Sequence, residues 1–305
     1  MSEGITLELD ELVRLRAAAR GLALGARRHA LSAQAGGYLS AYRGRGMEFD
    51  EVRVYQPGDD ARAIDWRVTA RRGRAHTKLF REERERPVLL LIDLNPAMYF
   101  GSRRQFKSVL AGRLAALLGW AAVQSGDRVG GMVSAFAGHR EISPAPRAAG
   151  LLPLLRAIVS LQPITPAGAP VRGRLDVALG RMARLVMPGS LVVILSDFRE
   201  LGDGADKHLG ALARHNDVIA GLLYDPIEAA APPAGRYRLG VDARRFDLDT
   251  GRDAVAQLWS ARFNEHRESV RRLCRRHAIH LMEAATSQQP LRALQVGLAR
   301  RGGMA

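Results

Sequence analysis

The sequence after position 87 contains two continuous apolar runs, and an aspartate follows each of them. Residues 88–92 lead directly into Asp93, and residues 191–195 lead through Ser196 into Asp197. An unbroken apolar run is what a strand buried on both faces of a sheet requires. Helical patterns alternate with these and other strand-like runs, and such alternation is typical of a mainly parallel sheet covered by helices. The sequence therefore predicts a doubly wound α/β domain over 87–305.

The apolar spacing within this domain assigns its individual elements. Strands are predicted over 88–92, 128–135, 191–195, 218–224 and 279–282. Helices are predicted over 105–124, 151–161, 177–185, 205–214, 254–276 and 289–300. A strand, turn and strand pattern near 236–250 predicts an inserted hairpin.

The N-terminal part of the chain has a different character. Residues 1–43 predict a helix that starts near Leu7 and is followed by a glycine-containing loop. Residues 44–86 contain three short runs with strand-like alternation, at 52–55, 64–68 and 76–80, separated by turns rich in glycine and charge. We predict a small antiparallel β module over 44–86.

Composition narrows the possible partners. The net charge is +15, and all but three of the 46 basic residues are arginine. Clustered basic residues attract phosphate, but these are scattered and often stand beside acidic residues. We therefore expect a solvated arginine-rich surface, with nucleic-acid binding as the alternative. No apolar run is long enough to span a bilayer, and no secretory signal pattern opens the sequence, so we expect a cytoplasmic protein without membrane insertion.

Asp93 and Asp197 are the candidate functional residues of the α/β domain. Ligands bind open parallel sheets beyond the carboxyl ends of the strands, where both aspartates are predicted to lie. Two carboxylates at one edge could hold Mg²⁺, which prefers oxygen ligands. Alternatively, they accept hydrogen bonds from backbone N–H groups of loops and helix starts.

A series of motifs in the N-terminal half closely resembles domain-of-unknown-function family 58. The motifs are the block at 44–53, the turn at 55–60, the run Ile-Asp-Trp-Arg at 64–67 and the run at 78–83. This resemblance implies a von Willebrand factor A-like domain preceded by the signature segment 44–86. It also implies an association with AAA+ ATPases of the MoxR type.

The resemblance implies a metal site of the von Willebrand factor A kind, but several of its ligands have been replaced. The first motif of such sites is Asp-x-Ser-x-Ser, and here Asp93 is followed by Asn95 and Ala97 in the two serine positions. Leu175 stands in the position of the threonine ligand, and Asp197 matches the third loop. Because two hydroxyl ligands are missing, we expect a degenerate site without a cofactor, with Mg²⁺ as the alternative.

The signature segment is dense in charge, with nine acidic and eleven basic residues over 44–86. Two interpretations remain open for it: an ion-pair network with Trp66 as its apolar anchor, or a docking patch with aromatic and arginine hot spots. We prefer the structural role for Asp65 and Trp66, and the docking role for exposed arginines. The candidate residues are Glu48, Asp50, Arg53, Tyr55, Asp59, Asp60, Arg62, Asp65, Trp66, Arg67 and Arg71.

The sequence contains no assembled catalytic or phosphate-binding motif. We therefore predict a non-enzymatic protein-interaction module that acts with a MoxR-type AAA+ ATPase. The alternatives are a metal-dependent hydrolase using Asp93 and Asp197, and a nucleic-acid binder using the basic surface. The sequence does not specify the oligomeric state.

Overall fold

The chain divides into two compact units. The computed structural model describes residues 4–24, 47–56, 61, 64–82, 85–162, 168–241 and 244–302. One unit joins Met1–Gly25 to Arg86–Ala305, and the other is Ala26–Glu85. The first helix, α1 (Leu9–Ala18), belongs to the larger unit.

The smaller unit is a strand, helix and strand. Strand β1 (Met47–Val54) pairs antiparallel with β2 (His76–Glu82), and α2 (Trp66–Arg72) lies between them in sequence. The predicted antiparallel pair is thus present, but the strand predicted over 64–68 is wrong. Asp65 caps α2 by accepting hydrogen bonds from the backbone N–H groups of Arg67 at 3.0 Å and Val68 at 3.1 Å. An aspartate at the N-cap outweighs the short alternating pattern.

The larger unit is built on a six-stranded sheet. Its strands are β3 (Pro87–Leu94), β4 (Arg128–Ala135), β5 (Gly138–Pro146), β6 (Leu191–Ser196), β7 (Asp217–Tyr224) and β10 (His280–Ala285). Its helices beyond α1 are α3 (Lys107–Gln124), α4 (Ala148–Leu161), α5 (Arg174–Leu185), α6 (Ala205–Ala213), α7 (Pro226–Ala229), α8 (Asp253–Arg276) and α9 (Pro290–Gly302). The predicted hairpin consists of β8 (Arg236–Val241) and β9 (Arg244–Asp249).

The strand order is β10-β7-β6-β3-β4-β5. Every neighbouring pair is parallel except β4 and β5, so the sheet is mainly parallel with one antiparallel edge strand. The α/β fold class predicted from the sequence is confirmed. After β3 the chain first adds β4 and β5 on one side, and then returns to add β6 on the other. The carboxyl end of β3 is therefore a switch point, where ligand crevices form in such sheets.

Alternate residues of the central strands face two different helical layers. Leu90 and Ile92 of β3 belong to a core with α1, α3, α4 and α9, whereas Leu89 and Leu91 belong to a core with α5, α6 and α8. This two-sided burial explains why β3 reads as a continuous apolar run. Among the described residues, no helix combines the length and apolar character needed to cross a membrane.

Helix α1 covers the outer side of α3. Leu12 is fully buried, and the indole Nε1 of Trp120 on α3 donates a hydrogen bond to the backbone oxygen of Leu12 at 3.0 Å. Leu7 packs in the same core, against the Cα of Gly112, where a β-carbon would lie 2.3 Å from the leucine methyl group. These contacts make α1 an integral layer of the α/β unit.

Candidate functional site

Asp93 and Asp197 both lie at the carboxyl edge of the sheet. Ile92 of β3 pairs with Leu195 of β6, so Ser196 is the residue across from Asp93, and Asp197 comes one position later. Both aspartates are buried, at 1% and 2% exposure. The shared edge predicted for them is therefore present, at the switch point of the sheet.

The carboxylate of Asp93 is enclosed by hydrogen-bond donors of the protein. The Ser196 hydroxyl donates to its Oδ2 at 2.5 Å. The backbone N–H and the side-chain amide of Asn95 donate to its Oδ1 at 3.0 and 2.7 Å. Burial raises the pKa of Asp93 to about 6, with a further contribution from the nearby charge of Asp197, although these three hydrogen bonds oppose the shift.

Asp197 turns toward the opposite helical layer and meets a lysine. The Lys107 ammonium donates to Oδ2 of Asp197 at 2.6 Å and to Oε1 of Glu228 at 3.0 Å. Lys107 is the first residue of α3, and its side chain is 1% exposed. The other oxygen of Asp197 accepts from the backbone N–H of Arg199 at 3.0 Å. The buried Lys107 ammonium thus balances the negative charge of Asp197.

Glu228 is fixed by the short helix that follows β7. Its second oxygen accepts from the backbone N–H of Asp225 at 2.8 Å, and Asp225 in turn caps the helix. The Arg199 guanidinium lies 3.2 Å from Glu228 and 3.9 Å from Asp197, and its side chain is 40% exposed. Two carboxylates and two cations therefore form one network, with the lysine inside and the arginine at the surface.

The turn after β6 holds an aromatic residue in an unusual conformation. Phe198 is buried and has φ of 57°, in the left-handed region that bulky residues rarely adopt. Its backbone N–H donates to the Ser196 hydroxyl at 2.9 Å. Since that hydroxyl also donates to Asp93, one serine couples the turn to both strands.

Glu200 is a third buried carboxyl group at this edge, with 1% exposure. The Arg174 guanidinium lies 4.0 Å away. Burial raises the pKa of Glu200 to about 7, helped by repulsion from Asp93 and Asp197 and opposed by Arg174. This group is therefore partly protonated at neutral pH.

The residues at this edge do not fit an octahedral divalent cation. Asp93 is engaged by Ser196 and Asn95, and Asp197 is engaged by the Lys107 ammonium. Ala97 supplies no ligand atom, and Leu175 is fully buried in the apolar core. Within the described ranges, no group of three or more His, Cys, Asp or Glu side chains is arranged to hold a metal ion. A positively charged ammonium beside the carboxylates also opposes a second cation.

An open cavity of about 460 Å³ lies beside this edge, between the end of β4 and the start of α5. Its walls include Phe136, Val171 and Val177, together with the charged side chains of Arg174 and Arg181. Such a volume lies within the usual range for binding pockets.

The signature residues fall into three groups. Glu48, Asp50 and Arg53 lie on β1, and Tyr55 follows it; Asp65 caps α2, and Trp66, Arg67 and Arg71 lie on that helix. Asp59, Asp60 and Arg62 lie outside the described residues. The side chain of Trp66 is 70% exposed, and its role as an apolar anchor stays a prediction.

A family model described as "Protein of unknown function DUF58" matches residues 51–269. The chain belongs to this family. The DUF58 match begins within the signature segment and continues through most of the α/β unit. The family resemblance read from the sequence is thus confirmed, whereas its links to von Willebrand factor A domains and MoxR-type ATPases stay predictions.

Similar proteins extend this family assignment over nearly the whole chain. Uncharacterized proteins of Mycobacterium bovis and Mycobacterium tuberculosis are 32% identical over 301 residues, which is 96% of this chain and 92% of each relative.

An aerotolerance-related membrane protein of Bacteroides fragilis is similar in structure, with 17% identity, a TM-score of 0.42 and coverage of 70% of this chain and 99% of its own. The hypothetical protein BatB of Bacteroides thetaiotaomicron has 14% identity, a TM-score of 0.38 and coverage of 72% and 99%.

Sequence reasoning missed Lys107, Glu228 and Glu200. A signal for Lys107 was present, since it is one of three lysines among 46 basic residues and is the first residue of a largely apolar helix. Glu228 follows Asp225 by three residues, the spacing of a capping box. Glu200 offered no such signal, because nothing in its local sequence indicates burial.

Proposed function

We propose that this DUF58 protein is a non-enzymatic protein-interaction module of the von Willebrand factor A-like kind. In this proposal a partner protein docks at the carboxyl edge of the sheet, on the loops over 95–98 and 198–202. The exposed side chains at this edge include Phe100, at 42%, and Arg199. The proposed partner is a MoxR-type AAA+ ATPase, as the family resemblance implies.

The contact of Lys107 with Asp197 carries this proposal. An ammonium at 2.6 Å supplies the positive charge that a metal would otherwise bring to the third-loop aspartate. A metal-dependent hydrolase needs an open metal position for water or substrate, and here the carboxylates are already bonded to Ser196, Asn95 and Lys107. This arrangement supports a fixed, metal-independent surface over a hydrolytic centre.

The proposal is tested by binding of the purified full chain to a purified MoxR-type ATPase from the same organism. Binding is measured without nucleotide, with ADP and with a non-hydrolysable ATP analogue. Phe100→Ser removes an exposed apolar side chain at the carboxyl edge. Met187→Ser is the matched control, because Met187 is 54% exposed in the turn before β6, at the amino edge.

Two results are expected. The ATPase binds in at least one nucleotide state, and Phe100→Ser weakens the interaction while Met187→Ser leaves it unchanged. Absence of binding in every nucleotide state, or equal loss in both variants, contradicts the proposal.

A further inference from the structure

We propose that the cavity beside the carboxyl edge binds an acidic segment of a partner protein that also carries an apolar side chain. This inference rests on the proposed function and names the chemistry of the docked segment. The site lies entirely within the α/β unit, between β4, the start of β5 and α5.

Among the described residues that line the cavity, the charged side chains are those of Arg172, Arg174 and Arg181, and none is aspartate or glutamate. His139 lies beside these arginines in the same wall. Arginine guanidinium groups bind carboxylates through paired, charge-assisted hydrogen bonds. The cavity is therefore complementary to carboxylate groups.

The guanidinium groups are in part available to a ligand. Arg174 stacks over the Phe136 ring at 4.6 Å and lies 4.0 Å from Glu200, and its side chain is 27% exposed. Arg172 pairs with Asp203 at 2.5 Å, but the two side chains are 74% and 94% exposed. Because exposed pairs contribute little free energy, a carboxylate of the partner can replace Asp203 at little cost.

Arg181 completes the basic side of the cavity. Its Nη1 lies 2.9 Å from Nε2 of His139 and 3.8 Å from Glu141, and each of these ion-pair side chains is more than one third exposed. The N-terminus of α5, a helix of 12 residues, begins between Arg172 and Arg181. Helix N-termini favour negative charge. Asp176 in the same turn is already bonded to the backbone N–H groups of Gly202 and Gly204.

The apolar side chains that line the cavity favour a peptide over a nucleic acid as its ligand. Phe136, Val171 and Val177 are 43%, 46% and 58% exposed, and all three line the cavity. Exposed apolar side chains beside arginine are typical of protein-binding hot spots. Nucleic acids instead require a positive track along an extended backbone, and a single cavity of about 460 Å³ provides room for only a few side chains.

The experiment measures binding of fluorescent peptides to the purified full chain by anisotropy. One probe is a short peptide of alternating aspartate and leucine separated by serine. The second probe has asparagine in place of each aspartate, and the third is a single-stranded DNA of equal charge. The variants are Arg174→Gln, Arg181→Gln and Val177→Ser. Arg184→Gln is the matched control, because Arg184 is exposed on α5 and does not line the cavity.

The acidic peptide is expected to bind saturably, and its asparagine counterpart is expected to bind about tenfold more weakly or worse. Arg174→Gln and Arg181→Gln should each raise the Kd about tenfold, whereas Arg184→Gln should leave it unchanged. Circular dichroism checks that each variant is folded. Val177→Ser changes only an exposed side chain of the cavity, so it still tests binding at the cavity if an arginine variant fails to fold.

Three outcomes overturn the inference: no saturable peptide binding, equal effects of Arg184→Gln and Arg174→Gln, or tighter binding of DNA through the same arginines. The ATPase binding assay separates this failure from failure of the proposed function. If Arg174→Gln still binds the ATPase as the unmodified protein does, only the acidic-segment inference falls. If no ATPase binds but the acidic peptide does, the choice of partner falls instead.

Discussion

Replacement of Lys107 by methionine tests whether the internal ammonium compensates the carboxylates of the candidate site. Methionine keeps the unbranched apolar stem in the core and removes only the charged group. Asp197 and Glu228, whose side chains are 3% and 14% exposed, then lose contacts of 2.6 and 3.0 Å. The variant is therefore expected to destabilise the α/β unit without leaving a large void.

The loss in free energy of unfolding depends on the charges that remain at the site when the ammonium is removed. Removing one partner of a buried ion pair typically costs about 3–5 kcal/mol, because the other charge stays buried. Arg199 stays 3.2 Å from Glu228 and 3.9 Å from Asp197, but its side chain is 40% exposed and only partly compensates them. The loss in free energy of unfolding should therefore lie near the lower end, at about 3 kcal/mol. With a urea m-value of about 3 kcal/mol/M, the midpoint shifts down by about 1 M.

Urea unfolding followed by tryptophan fluorescence measures this shift. The assay uses Trp66→Phe as the background, so that the signal comes from Trp120 and Trp259 of the α/β unit. Lys207→Met is the matched control, because Lys207 is exposed on α6. A midpoint for Lys107→Met equal to that of Lys207→Met would refute the reasoning.

A metal titration adds a second readout to the same experiment. A ligand that binds only the folded state raises the unfolding midpoint with its concentration. Millimolar Mg²⁺ should leave the unmodified protein unchanged and restore part of the stability of Lys107→Met, where the carboxylates are no longer paired with an ammonium. Stabilisation of the unmodified protein by Mg²⁺ would contradict the inference that the Lys107 ammonium takes the place of a metal ion.

Two further predictions concern Glu200 and Asp65. The folded protein holds the Glu200 proton up to a pKa of about 7, against an ordinary value of 4.5, so this group's contribution to stability falls as pH rises between these values. Glu200→Gln should remove that loss and raise the free energy of unfolding at pH 8 by up to about 3 kcal/mol, with no gain near pH 4. Urea titrations at both pH values measure it, and a less stable variant at pH 8 argues against the burial effect. Asp65→Ala should destabilise α2 by about 1 kcal/mol through loss of its cap, seen as faster amide hydrogen exchange at Arg67 and Val68. Unchanged exchange at both amides would show that the cap does not hold the helix.

The strands that are buried on both faces were predictable, because such burial requires a continuous apolar run in the sequence. β3 and β6 are buried on both faces, so each appears as an unbroken apolar run, and both were predicted within one or two residues. β5 was missed because it is an edge strand whose residues are largely exposed and include His139, Arg140 and Glu141. An exposed antiparallel edge needs no apolar run, and charge on it prevents pairing with other chains.

The candidate site was predictable only in part. Parallel strands deliver Asp93 and Asp197 to one edge, and that step needed nothing beyond the strand assignments. The partners of each carboxylate depend on which helical layer the side chain faces. Lys107 lies 90 positions from Asp197, and Glu228 lies 121 positions from Lys107. Contacts of such separation have no local signature, so the lysine was visible as unusual but not as a partner.

Strand parity explains why the two aspartates do not act as a single metal-binding pair. Alternate residues of a strand face opposite sides of the sheet. Asp93 lies on the same side as Leu89 and Leu91 and is bonded to Ser196. Asp197 continues the side of Leu191 and Leu195 and contacts Lys107 on α3. A shared divalent cation would have to draw both carboxylates to one point and displace an ammonium held at 2.6 Å. The lysine is covalently part of the chain, so its charge is present at any concentration of divalent ions. Docking at this edge should therefore be insensitive to chelators, unlike an interaction in which a metal bridges the two proteins.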